Sequence, residues 1–152
     1  MNSSTKRRSK KSKGTRRIKS INSIAAFEKD VTVRFLEILI MVKLYHWKTS
    51  SYATHKATDE LYTTLNANID KFIEVLLGKA GNRIHLMDKK SISLIDLNSP
   101  ERLRAEINSF KNYLVAITTN PAIKLMSNTD LLNIRDEILG NLNQFLYLLT
   151  FK

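Results

Sequence analysis

The chain has no cysteine, which excludes disulfides and thiolate metal sites and suits a reducing compartment. It has no uninterrupted apolar run near the ~18 residues of a membrane span, and its N-terminus opens on charge rather than on an apolar segment. Neither a membrane contact nor a secretory signal peptide is expected, and the chain reads as soluble and intracellular. None of His46, His55 and His85 has a glutamate three residues before it. That excludes an intrasubunit di-iron centre built on Glu-x-x-His pairs. Acidic residues are missing altogether from Met1 to Ser20, so whatever charge this stretch carries is of one sign.

What is present divides into a tail and a body. At 152 residues with 43% hydrophobic content, there is material for one domain with a substantial core, assigned to residues 21–152. Residues 1–20 hold Lys6, Arg7, Arg8, Lys10, Lys11, Lys13, Arg16, Arg17 and Lys19, which carry nearly all of the net charge of +11. With little to bury and much self-repulsion, this segment is expected to be disordered and to seek a polyanion. No recognition helix or zinc module accompanies it, so contact with a DNA backbone is expected without base readout. A nuclear localisation signal, for which KRRSKKSK suffices, and an RNA-binding or membrane-surface patch are the competing readings.

The body reads as four helices. Residues 22–48 carry Phe27, Val31, Ile38, Val42 and Tyr45 at helical spacing after a cap at Asn22 or Ser23. Residues 53–77 follow the Thr49-Ser50-Ser51 turn with Leu61, Leu65, Phe72 and Leu76 as an inward stripe ending at Gly78. From Gly78 to Ser99 the chain is too long for a tight turn and reads as a crossover with one short helix. Ser99-Pro100-Glu101 starts a third helix running to about Thr118, and Asn120-Pro121 breaks the pattern. Caps between Ser127 and Asp130 open a last helix with Leu131, Ile134, Ile138, Leu142, Phe145 and Leu149. A single long connection between the second and third helices points to a ferritin-like four-helix bundle rather than a simple up-and-down one.

Between Tyr45 and Glu74 stand two histidines and several carboxylates, of which Asp59, Asp70 and Glu74 have telling spacings. Imidazole and carboxylate together suit Fe(II), Mn(II) or Zn(II). His55 and Asp59 share one helix face, as do Asp70 and Glu74, because residues four apart are neighbours. Asp59 and Asp70 are close to three turns apart, on the order of 16 Å at ~1.5 Å per residue, so one metal cannot reach both pairs. A single centre using all four requires a second copy of the chain about a two-fold axis. The same spacing also fits a solvated face with hydrogen-bonded histidines, and spacing alone leaves both open.

The run His46-Trp47, a short loop, His55-x-x-x-Asp59, then Asp70 and Glu74 resembles the ferroxidase motif of the Dps miniferritins, the DNA-binding proteins of starved cells. The segments SPERLRAEINSFKNYLVAI and NTDLLNIRDEILGNLNQFLYLLT resemble that family's third and fourth helices, so the likeness spans roughly residues 22–151. It implies iron (Fe2+/Fe3+) as the metal, with His46, His55 and Asp59 as catalytic ligands from one subunit and Asp70 and Glu74 from its two-fold partner. Trp47 would stand beside the centre, and dimers would assemble into a dodecamer. The chain departs from the pattern in its shorter loop between His46 and His55, in Lys48 where asparagine is common, and in Lys56 where an acid is common.

The expectation is a Dps-like miniferritin that oxidises Fe(II) with peroxide or oxygen, stores the product and protects DNA through its basic tail. Lys48, Lys56 and the shortened loop favour the alternative, a non-enzymatic histone-like protein that compacts DNA around a lost metal site. A helical adaptor with a nuclear signal is a third reading. The expected location is the nucleoid or cytoplasm of a bacterium, or the nucleus, virus factory or virion of a large DNA virus.

Overall fold

The computed structural model describes residues 9–151. The chain is all-α, with four long helices, one single turn and no strand among the described residues. They are α1 (Ser9–Lys48), α2 (Tyr52–Ala80), α3 (Pro100–Ile117), α4 (Pro121–Lys124) and α5 (Thr129–Leu148).

At 40 residues, α1 is about 60 Å long and outreaches the bundle. Among its described side chains the first buried one is Phe27, while Ile18 and Ile21 remain 61% and 57% exposed. Residues 9–20, expected as part of a disordered tail, are the start of this helix, and residues 1–8 lie outside the described residues. Lysine and arginine are good helix formers and no proline interrupts the stretch. Turns therefore add to the packed part of α1 without a new nucleation cost.

Ser51 caps α2 by accepting a bond from the Thr54 amide at 3.3 Å. The far end differs from the expected stop at Gly78: the helix runs on to Ala80, and Gly81 is the residue in the left-handed region, φ 70°. A left-handed residue with its amide bonded back to the Leu77 carbonyl ends a helix, whereas a helical glycine only weakens one. Ser99 and Pro100 start α3 as read, with Ser99 Oγ accepting from the Arg102 amide. The break at Asn120-Pro121 holds a single turn, α4, whose Ala122 and Ile123 are fully buried.

The crossover, residues 81–99, contains no helix, in contrast to the short one expected. Its polar groups are spent on α1 instead. Asn82 donates to Glu28, Lys29 donates to Asp88, the Ser93 amide donates to Glu37, and Lys48 donates to Asp96. These rungs climb α1 from residue 28 to residue 48, about 30 Å at ~1.5 Å per residue. The chain thereby returns to the end where α2 began, and α3 runs in the same direction as α2.

Lys79 pairs with Asp130 at 2.8 Å, and Lys71 faces Glu137 at 3.9 Å, so α5 lies antiparallel to α2. Arg135 bonds the Leu114 carbonyl and Arg104 the Leu149 carbonyl, so α5 is antiparallel to α3 as well. At the centre Phe35 of α1 meets Phe72 of α2 and Phe110 of α3 edge-on, at 5.2 and 6.0 Å between centroids. Such pairs add about 0.5–1.5 kcal/mol beyond the area they bury.

Candidate metal site

The corner between α1 and α2 is three residues long, Thr49 to Ser51, and brings the last turn of one helix against the first of the next. His46 and His55 face each other across it. Their rings stack with centroids 3.9 Å apart and planes 22° from parallel. His46 Nδ1 donates to the His55 carbonyl at 3.0 Å, and His55 Nδ1 donates to the His46 carbonyl, also at 3.0 Å. A carbonyl can only accept, so each Nδ1 carries a proton, and only Nε2 of either ring can offer a lone pair. Imidazole ligands of metals are commonly oriented by such an Nδ1–H to carbonyl bond.

His46 is buried, whereas His55 is half-buried and Asp59 exposed. Asp59 Oδ1 stands 3.8 Å from His46 Nε2, beyond hydrogen-bond length but within reach of a shared ion. The corner thus stacks His46 on His55 and brings His46 within 3.8 Å of Asp59. Asp70 and Glu74 lie further along α2, both exposed and neither in an ion pair among the described residues. Lys71, between them, faces Glu137 rather than either one. Among the described residues of a single chain, no group of three or more metal-binding side chains closes around one point.

Trp47 is 69% exposed, and the Lys43 ammonium sits 5.7 Å from its ring centroid and 4.6 Å from that of Tyr62. Lys48 pairs with Asp96 of the crossover at 2.7 Å, and Lys56 is exposed. Of the basic residues, Lys6, Arg7 and Arg8 lie outside the described residues. Lys10, Lys11, Lys13 and Arg16 fall on α1, and Arg17 and Lys19 are exposed there. This basic section occupies the helix N-terminus, whose unsatisfied amides add a further partial positive charge.

Sequence reasoning missed Thr58. It is fully buried, donates to the Thr54 carbonyl at 2.8 Å, and its oxygen lies 3.3 Å from His46 Nδ1 as a second acceptor. A threonine three residues after His55, on the inward side of α2, was the available signal. Arg135 was missed too. Buried within the stripe of α5, it donates to the Leu114 carbonyl at 3.1 Å and Thr118 Oγ1 at 2.6 Å, closing the C-terminal end of α3.

No curated protein and no solved structure matches the chain. The model of a family of unknown function, DUF5856, matches residues 46–149, which take in the histidine corner, the crossover, α3 and α5 but leave out the basic part of α1. The chain belongs to that family.

Proposed function

We propose that this chain is a divergent Dps-like miniferritin with a ferritin-like four-helix bundle, which oxidises Fe(II) at sites shared between subunits and holds DNA through its basic N-terminal residues. The observation that carries the reading is the reciprocal clasp of His46 and His55, which orients two Nε2 lone pairs with Asp59 3.8 Å from one of them. The long connection along α1 and the antiparallel neighbours are further support, since ferritin-like bundles carry such a connection.

In this reading iron is the substrate. His46, His55 and Asp59 bind it from one chain, and Asp70 and Glu74 of a two-fold partner complete the set, because Asp70 stands about three turns from Asp59 on the same helix, too far for one ion to reach both. Each Fe(II) gives up one electron. Hydrogen peroxide takes up two electrons and two protons and leaves as two waters. Dimers assemble into a dodecamer that stores the ferric product. The positive section from Lys6 to Lys19 neutralises DNA phosphates, so iron and peroxide are consumed near the DNA they would damage.

The test is anaerobic loading of Fe(II), then peroxide or air, with ferric absorbance recorded for wild type and for the Asp59→Ala, Glu74→Ala variant. Both residues are exposed, so the fold is expected to survive. Rapid oxidation that the variant lacks is the expected result, and equally slow curves for both proteins would overturn the proposal. One observation favours a second reading in that event. The two histidines satisfy each other's Nδ1 groups and stack without any metal, as suits a structural clasp in a histone-like DNA-compacting protein.

A further inference from the structure

A cavity opens at the end of the bundle that holds the histidine corner, with a volume of about 360 Å³. It is walled by Tyr45 and Lys48 from the end of α1, Thr49 and Ser50 from the corner, Thr54 from the first turn of α2, and Asn98 just before α3. Two long helices begin at its edge, α2 at Tyr52 and α3 at Pro100. Their first turns carry amides without intrahelical acceptors and the positive ends of two macrodipoles. Helix starts are common and do not by themselves make a site.

Tyr45 supplies the independent observation. It is only 5% exposed, lines this cavity, and its hydroxyl makes no hydrogen bond among the described residues. A phenol hydroxyl can donate, and Tyr45 brings one to the wall of this cavity, near the Glu101 carboxylate. Lys48 adds a positive charge whose present partner, Asp96, is 68% exposed, so the pair is weak and open to exchange. The wall thus offers donors and one cation around a space large enough for a small anion.

We propose that this cavity binds a phosphate group, with Tyr45 and Lys48 as its principal donors and the hydroxyls of Thr49, Ser50 and Thr54 around it. The cavity shares the corner with His46 and His55, but neither histidine lines it and the proposal does not depend on the iron reading. Glu101, at the start of α3, opposes the anion. Its removal is expected to strengthen binding.

The experiment is calorimetric titration of the full chain in phosphate-free buffer, with inorganic phosphate in one arm and glycerol phosphate in the other. One saturable site per chain is expected. Tyr45→Phe, which keeps the buried ring, and Lys48→Gln, at an exposed position, are each expected to weaken binding about tenfold, as for loss of a bond to a charged group. Glu101→Gln is expected to tighten it. Saturation by inorganic phosphate alone assigns the site to the free ion, and saturation by both assigns it to monoesters as well. Absence of saturable heat would overturn the proposal. So would affinity unchanged in both the Tyr45 and Lys48 variants, which would put the phosphate on the basic N-terminal residues instead, and so would weaker binding in Glu101→Gln.

Discussion

The reciprocal bonds of His46 and His55 place two ring nitrogens against two carbonyls, of which that of His46, in the last turn of α1, has no helical amide to accept from. Thr58 braces the arrangement from beneath, since its hydroxyl donates to Thr54 or His55 and accepts from His46. Thr58→Val keeps the shape and removes the hydroxyl. The expected cost is about 1 kcal/mol, the net worth of a typical intramolecular hydrogen bond, read as a lower urea midpoint at unchanged slope. Stability equal to wild type would mean that the carbonyls alone hold His46. The sequence could place His55 beside Asp59, because spacing by four fixes that on any helix. It could not reveal the stacked rings, because they depend on how sharply a three-residue corner turns, and residues on different helices have no fixed register in the sequence.

Helix ends were legible where a side chain caps and illegible where two candidates competed. Ser99-Pro100 opens α3 as read, because serine at the cap and proline at the first position both serve amides that have no helical partner. The end of α2 offered Gly78 and Gly81, and only the backbone angle separates them. Gly81 has φ 70°, whereas Gly78 is helical, and a Cβ at either meets nothing within 4 Å. Opposite signs follow for the same substitution. Gly78→Ala is expected to stabilise by about 0.8–1 kcal/mol through helix propensity, and Gly81→Ala to destabilise by about 1–2 kcal/mol because alanine resists the left-handed region. Thermal unfolding of the two variants checks this, and a shift of the same sign in both would contradict the assigned helix end. The crossover was legible as a connection, but its short helix was not borne out, because the segment's side chains and the Ser93 amide bond to α1 at Glu28, Lys29, Glu37 and Lys48.

Over the whole molecule, α1 separates the two activities proposed for it. The basic section before Lys19 and the histidine corner at His46 sit near opposite ends of one helix, on the order of 40 Å apart at ~1.5 Å per residue. Sites so distant that share no side chains are expected to respond to substitution independently. Nine of the 25 basic residues precede Ser20, and the remaining sixteen nearly balance the 14 acidic ones. Replacing those nine with glutamine therefore removes most of the net charge of +11 while leaving the corner untouched. If the nine contact phosphates, the slope of log affinity against log salt on duplex DNA should approach about −8 per chain in wild type, at ~0.9 for each phosphate neutralised. In the variant it should fall most of the way to zero. Iron oxidation, followed in the same two proteins, is expected to be unchanged. A variant that bound DNA with the wild-type slope would place the nucleic-acid surface on the bundle itself, and one that lost iron oxidation as well would show that the ends of α1 are coupled.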